Sequence, residues 1–312
     1  MDSIAPLFGG QKFSFVADSD CVLDLLLSEG YECLMYFEEL NLPENCVSIQ
    51  TSKKHFLNLK SNLDNSIKSR VLTLPLIAFD SSQECFEYFF NQLKLCNLNR
   101  IFESSTSLMR KFGEVGANIN IKQGCDIDLS CHFNKKVQYS YPSQLLIKQG
   151  SIRSIAQYFE VNFNHLYTEF EPDFKLSGKF NFTSCLYAIH PSNDGISAKQ
   201  MEAVKKLFNA VFNATNCSLL VKDNVALSLL LDNVEYIEVL KCIAGDLRKS
   251  EVTELAFGLN NDIIDTIDWQ YNSQINEGCG GMHLGFGDGK SGIHMDFICP
   301  EKKDLLTIET MK

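Results

Sequence analysis

Two histidines and an aspartate near the C-terminus have the types and the spacing of metal ligands. His294 and Asp296 are two residues apart in the apolar segment Ile293–Cys299, which predicts a strand. Side chains at positions i and i+2 of a strand share a face, so this imidazole and this carboxylate would enter one site. His283 lies in the preceding predicted strand, Met282–Phe286, and a hairpin would bring it alongside. Two imidazoles and a carboxylate are a common ligand set for zinc, manganese and ferrous iron.

The surrounding sequence supports a metal site. Seven of the 18 glycines lie between residues 278 and 292, and glycine permits positive φ and close backbone approach, so this loop can fold tightly around a small ligand. Upstream, Glu254 stands in the apolar segment 252–257, where a buried carboxylate needs a cation or a hydrogen-bond donor. We therefore predict Glu254 as a further ligand, with Glu251 as the competing register.

The segments that must position these residues follow two different patterns. In residues 1–113, apolar runs at 13–17, 31–37 and 71–79 alternate with helical patterns at 21–28 and 82–95. Such alternation is typical of an open, largely parallel α/β sheet. In residues 114–312, the segments 117–121 and 126–133 alternate apolar with polar residues, which favours half-exposed antiparallel strands.

The second region has α+β character. We predict helices at 197–213, 223–232 and 234–248, and further strands at 176–190, 252–257 and 305–308. The sequence thus predicts an N-terminal α/β domain over residues 1–113 and a C-terminal metal-binding domain over residues 114–312.

The amino-acid composition argues against some classes of partner and indicates a cellular compartment. The net charge of −11 repels phosphate groups, so we expect neither nucleic acid nor an anionic membrane as a partner. The 12 cysteines form no CxxC pair and are typical of reduced thiols in a cytoplasmic protein. The chain begins without a signal-peptide pattern and has no apolar run of the ~20 residues that span a membrane.

Three segments resemble, in the same order, the signatures of the aminopeptidase T type of metallo-aminopeptidases. They are ELAFGLN at 254–260, EGCGGMHLGFGDG at 277–289 and GIHMDF at 292–297; residues 116–133 are similar to a further segment of that family. The resemblance implies a two-domain protein, often a homodimer, whose second domain binds two ions of zinc, cobalt or manganese. It also implies hydrolysis of the N-terminal residue from peptides.

The resemblance also assigns individual residues. The family's metal ligands match Glu254, His283, His294 and Asp296. Glu277, six residues before His283, is similar to a further glutamate of that motif. Glu160 is the best match to the family's first glutamate, although Phe159 stands where the family has glycine, and a strand at 184–190 without an acid is the competing equivalent. The chain departs from the pattern at Lys290, where the family usually has tyrosine, and in its short loop between the two histidines.

Three functional hypotheses follow. The first is a metal-dependent hydrolase that acts on a peptide or an amino-acid-derived amide through an activated water, with Glu277 or Glu160 as general base. The second is a ring-cleaving dioxygenase of the same fold, similar to the dihydroxypyridine enzyme, in which His283, His294 and Asp296 would hold one Fe(II). The third is a metal-deficient peptide-binding accessory protein of a peptide-modification pathway. The metal content separates them: two ions, one iron or none.

Overall fold

The computed structural model describes residues 2–38, 40–65, 68–115, 118–123, 127–134, 139–164, 173–301 and 306–310. Within these residues the chain forms three β-sheets with helices packed on them. The strands are β1 (Ser14–Ala17), β2 (Cys33–Met35), β3 (Asn45–Ile49), β4 (Arg70–Leu74), β5 (Asn118–Gln123), β6 (Ile127–Phe133), β7 (Tyr139–Ser140), β8 (Ser151–Ser154), β9 (Glu160–Asn164), β10 (Phe174–Phe182), β11 (Ser184–Ala188), β12 (Cys217–Lys222), β13 (Val225–Leu231), β14 (Val234–Glu235), β15 (Val252–Gly258), β16 (Gly281–Phe286), β17 (His294–Pro300) and β18 (Leu306–Thr310). The helices are α1 (Asp20–Ser28), α2 (Lys53–Asn65), α3 (Gln83–Leu95), α4 (Leu98–Val115), α5 (Ala156–Phe159), α6 (Ala198–Asn213), α7 (Ile237–Arg248) and α8 (Gln274–Glu277), with 3-10 turns at Ala5–Phe8 and Leu76–Ala78.

The first sheet is parallel and has the strand order β2-β1-β3-β4-β8. Helices α1 and α3 lie where the sequence predicts them, whereas α2, between β3 and β4, was not predicted. The apolar run 71–79 is a strand only as far as Leu74, because Pro75 has no amide hydrogen for the ladder and a 3-10 turn follows it. Strand β8 comes after the predicted boundary at residue 113 and still joins this sheet; the boundary itself stays a prediction.

The other two sheets are antiparallel and stack face to face. Their orders are β14-β13-β12-β10-β6-β5-β18 and β11-β17-β16-β15-β9-β7. Phenylalanines fill the space between them: the ring centroids of Phe182 and Phe297 are 4.7 Å apart, as are those of Phe133 and Phe163. This core covers one face of the six-stranded sheet and leaves its other face to the first domain. The predicted combination of α/β and α+β regions is confirmed.

The predicted helix at 223–232 is wrong, because these residues form strand β13. Two consecutive residues with positive φ precede the strand, Asp223 (φ 48°) and Asn224 (φ 65°), and two follow it, Asp232 (φ 47°) and Asn233 (φ 67°). Such pairs form the two-residue turns of β-hairpins, and Asn and Asp tolerate this conformation better than most residues. The apolar pattern between the turns suits a helix and a strand alike, and the turns at both ends decide in favour of the strand.

Helices α6 and α7 agree with the predicted ranges and pack on each other. Ser197 caps α6 through a reciprocal capping box with Gln200. A kink at Gly245 (φ 80°) lets α7 lie against the glycine-rich loop before β17; a Cβ on Gly292 would be 2.2 Å from the carbonyl oxygen of Ala244. Across the described ranges, none of the helices combines the length and the apolar character needed to cross a membrane.

Candidate metal centre

The donor side chains share one face of the six-stranded sheet, opposite the phenylalanine core. On β17, His294 and Asp296 alternate with residues of that core such as Phe297. The pairing of β15, β16 and β17 places Gly285 directly between Glu254 and Asp296. The period of two in adjacent strands thus collects carboxylates and imidazoles from three strands on one surface.

Glu254 lies between the two imidazoles. Its Oε1 is 3.6 Å from Nε2 of His283, and its Oε2 is 3.7 Å from Nε2 of His294. Oδ1 of Asp296 is 3.0 Å from the same Nε2 of His294. One carboxylate oxygen therefore faces each imidazole, which is the arrangement expected of a carboxylate that bridges two cations.

Two further glutamates complete the group at the His283 end. Oε2 of Glu160 is 3.6 Å from Nε2 of His283. One donor atom from each of Glu160, Glu277 and His283 lies within 4.8 Å of the other two, which is close enough for a single ion to contact all three. Glu160 reaches the centre from the first residue of β9, which pairs with β15, and Glu277 reaches it from the short helix α8.

Several of these atoms are buried and have no hydrogen-bond partner. They are Oε2 of Glu160, Oε1 of Glu254, Nε2 of His283 and both carboxylate oxygens of Asp296. A buried polar group without a partner is destabilising by about 1–3 kcal/mol, and more when it is charged. Five such atoms around one small volume fit divalent cations held by carboxylate oxygens and imidazole nitrogens.

The pKa values of these side chains are shifted because several charged groups are buried close together. Burial raises the pKa of Glu277 to about 8, and the charges of Asp296 and Glu254 add to the shift. Burial and the neighbouring acids also raise the pKa of Glu160. Burial lowers the pKa of His294, but the negative charge of the adjacent Asp296 outweighs this effect and raises the pKa to about 10. Cations in the centre would replace these protons.

Backbone features fix the ligand positions. Nδ1 of His294 lies 2.9 Å from the carbonyl oxygen of Gly287, to which it donates a hydrogen, so the lone pair of Nε2 faces Glu254 and Asp296. Gly285 forms the floor of the centre. A Cβ there would lie 2.7 Å from Cε1 of His294, 2.8 Å from Oδ1 of Asp296 and 2.9 Å from Cβ of Glu254. Only glycine leaves room for the three side chains and an ion.

A cleft of about 310 Å³ opens onto the centre and separates the two domains. The first domain supplies an apolar wall: Phe56, Pro75, Ala78 and Phe79. The opposite wall is acidic and carries Glu160, Glu254, Glu277 and Asp288. Such a cleft favours a ligand with one apolar side and a positively charged group.

Four other polar residues line the cleft and were not singled out by the sequence: Asn162, Asn164, His190 and Gln274. Nδ2 of Asn164 donates to Oδ1 of Asn162 (3.0 Å), and Nδ2 of Asn162 donates to Oε1 of Glu160 (2.7 Å). His190 follows β11 and packs edge-on against Phe56, with the ring centroids 5.4 Å apart. Burial and the charge of Lys290 lower the pKa of His190, which favours its neutral form.

The structure brings all six sequence-predicted site residues together: Glu160, Glu254, Glu277, His283, His294 and Asp296. Glu251, the competing register, pairs instead with Arg248 at 3.1 Å. The segment 184–190 supplies no acid but does supply His190. Lys290 is exposed, and its backbone N–H donates to Asp288. Whether the six residues bind metal stays a prediction.

Two solved structures share the fold. The 2,5-dihydroxypyridine dioxygenase from Pseudomonas putida KT2440 is 7% identical in sequence and has a TM-score of 0.51, with 98% of this chain and 92% of that chain covered. AmpT from Thermus thermophilus is 10% identical and also has a TM-score of 0.51, with 99% and 92% covered. The resemblance to aminopeptidases of the T type is thus confirmed at the level of the fold.

Comparison of the sequence with models of protein families gives a family other than the aminopeptidases of the T type. The family model described as crocagin biosynthetic protein CgnE/B matches residues 10–305. No sequence among the curated proteins matches the chain.

Proposed function

The chain belongs to the family of the crocagin biosynthetic protein CgnE/B, and we propose that it is a metal-dependent hydrolase that acts in biosynthesis on a peptide or an amino-acid-derived amide. The position of Glu254 carries this proposal. Its two oxygens face two different imidazoles at 3.6 and 3.7 Å. A shared carboxylate between two histidines favours a pair of cations over a single one.

The donors divide into two groups around Glu254. Glu160 and His283 would hold the first cation, and His294 and Asp296 the second. Two divalent cations at these positions would polarise an amide carbonyl and lower the pKa of a water. Glu277 is the better general base, because it lines the cleft next to the donors that would hold the cations. Glu160 is the weaker candidate, since Asn162 occupies its Oε1.

The cleft supports an amide with a free amino group as the substrate. Beside the proposed ligands Glu160 and Glu254, the acidic wall carries Glu277 and Asp288, whose charges attract an ammonium group and repel a carboxylate at the same place. The apolar wall of Phe56 and Phe79 suits an apolar side chain next to that amino group. A peptide with an apolar first residue satisfies both requirements.

A second function is supported by the likeness to the dioxygenase structure. His283, His294 and Asp296 provide the two-histidine and one-carboxylate set of a mononuclear Fe(II) oxygenase. In that function Glu160 and Glu277 would stay outside the ligand set. The buried, unpartnered Oε2 of Glu160 favours the hydrolase.

Elemental analysis of the purified protein tests the proposal. We expect two divalent ions per chain, about one in His294→Ala, and two in the control His132→Ala, which replaces an exposed histidine of β6. Zinc-, manganese- or cobalt-loaded protein should release leucine from leucinamide. One iron per chain with O₂ consumption would establish the oxygenase instead, and metal-free protein that binds peptides would establish the accessory protein.

The predicted homodimer is a separate proposal. Light scattering coupled to gel filtration measures the mass against the 35.2 kDa of one chain. A mass near twice that value supports it, and a monomer contradicts it without bearing on the metal centre.

A further inference from the structure

We propose that His190 is a further catalytic residue of the cleft, and that its Nε2–H donates a hydrogen bond to the carbonyl oxygen of the substrate amide. This inference rests on the hydrolase proposed above. It concerns a residue outside the ligand set, contributed by the segment between β11 and α6.

The backbone holds His190 beside the metal ligand His294. Ala188, two residues earlier, pairs with His294 in the register of β11 and β17. The backbone N–H of His190 donates to the carbonyl oxygen of Gly289 at 3.1 Å. A Cβ placed on Gly289 would lie 3.8 Å from the Cβ atoms of both His190 and His294. The two imidazoles therefore flank the same glycine and line the same cleft.

Hydrogen bonding fixes the tautomer of His190. The backbone N–H of Ser192 donates to Nδ1 of His190 at 3.2 Å, so Nδ1 is an acceptor and the neutral ring carries its hydrogen on Nε2. Ser192 Oγ, 2.6 Å from the same Nδ1, occupies that side of the ring as well. Nε2–H is left as a donor on the opposite side of the imidazole.

The cleft has few other donors to offer. Four of its polar lining side chains are carboxylates, and Asn164 and Asn162 each donate one amide hydrogen along the sheet, to Asn162 and to Glu160 respectively. Oxygen atoms on which negative charge develops need preorganised donors. Among the described lining residues, Gln274 and His190 remain, and only His190 is held against the glycine that separates it from His294.

His190 lies at the His294 end of the cleft. His190, His294 and Gly289 all line it, and a Cβ on Gly289 would be equally far from the Cβ atoms of the two histidines. A substrate amide whose carbonyl group lies at this end of the centre therefore has its oxygen in the region that His190 lines.

The reaction is balanced without any additional reactant. The oxygen of water forms a bond to the carbonyl carbon, the π electron pair moves to the carbonyl oxygen, and Glu277 accepts the proton of the water. His190 Nε2–H stabilises the charge on that oxygen. The pair then returns, the C–N bond breaks, and the proton held by Glu277 goes to the leaving nitrogen. Water and amide become a carboxylic acid and an amine.

Two substitutions of His190 distinguish a catalytic role from a structural one. In His190→Asn, the shorter amide keeps an acceptor for the N–H of Ser192 but has no group at the position of Nε2. In His190→Gln, the longer amide keeps a donor near the position of Nε2 but loses the acceptor for Ser192. A catalytic donor predicts that His190→Asn is the more damaging change, and a purely structural role predicts the reverse.

The measurements use zinc-loaded protein with leucinamide as substrate and the phosphonic acid analogue of leucine as a tetrahedral anion. We expect His190→Asn to lower kcat about 100-fold or more with little change in KM, and to weaken phosphonate binding at least about tenfold. His190→Gln should recover part of both losses, and the zinc content should equal that of the wild type. Gln274→Leu serves as the comparison from the same cleft.

Equal phosphonate affinity in the wild type and His190→Asn would overturn the inference, as would a greater loss in His190→Gln than in His190→Asn. A large loss confined to Gln274→Leu would assign the donor to that residue. Phosphonate binding needs no turnover, so it decides the role of His190 even if leucinamide is not hydrolysed. The zinc content and leucinamide hydrolysis of the wild type decide the proposed function separately.

Discussion

Replacing Glu254 by glutamine should weaken both metal positions at once. The amide has nearly the same size as the carboxylate but no negative charge, and the two oxygens of Glu254 face the imidazoles of His283 and His294 at 3.6 and 3.7 Å. Removal of either histidine should instead empty one position and leave the other. The substitutions therefore differ in the pattern of loss as well as in its size.

The size of the effect follows from the coupling of binding to folding. A ligand at about 1,000 times its Kd stabilises a protein by about 4 kcal/mol, and about 1 kcal/mol corresponds to roughly 2 °C in a domain of more than 150 residues. Zinc at that excess should raise the Tm of the wild type by about 8 °C for each ion, or about 16 °C for the two ions proposed. If Glu254→Gln weakens both positions about 100-fold, the same zinc concentration stabilises by about 1.4 kcal/mol for each ion, or roughly 6 °C in total.

Differential scanning fluorimetry with and without zinc measures this difference, and elemental analysis at limiting zinc gives the number of ions. Glu202→Gln is the matched control, because Glu202 is an exposed glutamate of α6 far from the centre in sequence and on another element. An unchanged zinc-induced shift in Glu254→Gln, or loss of one ion with the other bound as tightly as before, would refute the bridging role of Glu254.

Two other predictions concern the same centre. The pKa of Glu277 is raised from 4.5 to about 8 and that of His294 from 6.5 to about 10, so the stability they contribute to the metal-free protein is complete below the lower value of each pair and is lost as the pH rises through the higher one. In EDTA the Tm should fall between about pH 5 and pH 9. The zinc-induced increase in Tm should instead grow over this range, because metal binding displaces protons. A metal-free Tm that rises between these pH values would contradict the titration argument. Gly285→Ala should lose most of its zinc and some stability, because the added Cβ would lie 2.8 Å from Oδ1 of Asp296. The control Gly113→Ala, whose added Cβ in α4 has no atom within 4 Å, should gain up to about 1 kcal/mol in the free energy of unfolding measured in urea. A zinc content in Gly285→Ala equal to that of the wild type would contradict the role of Gly285 as the floor of the centre.

Much of the centre could be predicted from local sequence. The spacing of His294 and Asp296 in an apolar segment determines that they share a face once the segment is a strand. Glu254 is conspicuous for a related reason, since a carboxylate inside a run of buried residues needs a partner. The first inference uses only the alternation of side chains along a strand, and the second uses only the free-energy cost of burying a charge. Neither depends on which strands pair with each other.

The residues that sequence reasoning missed depend on long-range pairing. Asn162 and Asn164 have no signal of their own; they enter the cleft because β9 pairs with β15 across some 90 positions of sequence. His190 lies in a loop, and its proximity to His294 depends on the pairing of β11 with β17. Phe56 comes from the other domain. No local pattern encodes these neighbours, although each side chain is of an ordinary type for a binding cleft.

Strand β13, where the sequence predicts a helix at 223–232, is by contrast encoded in local sequence. Asp-Asn stands at both ends of this segment, at 223–224 and 232–233, and each of these pairs forms a turn with positive φ. The residues between them are leucine-rich, which suits a helix and a strand alike. Turn chemistry at both ends decides between the two, because a helix cannot continue through consecutive residues in the left-handed region.

The late arrival of β8 in the first sheet has a consequence for synthesis on the ribosome. Translation proceeds at roughly 5–20 residues per second, so several seconds can separate the emergence of β4 from that of the strand that pairs with its outer edge. During that interval the nascent chain presents an open parallel edge to any other extended polypeptide. A nascent chain halted before residue 151 should therefore be more prone to aggregate than one that has passed residue 154, the last residue of β8.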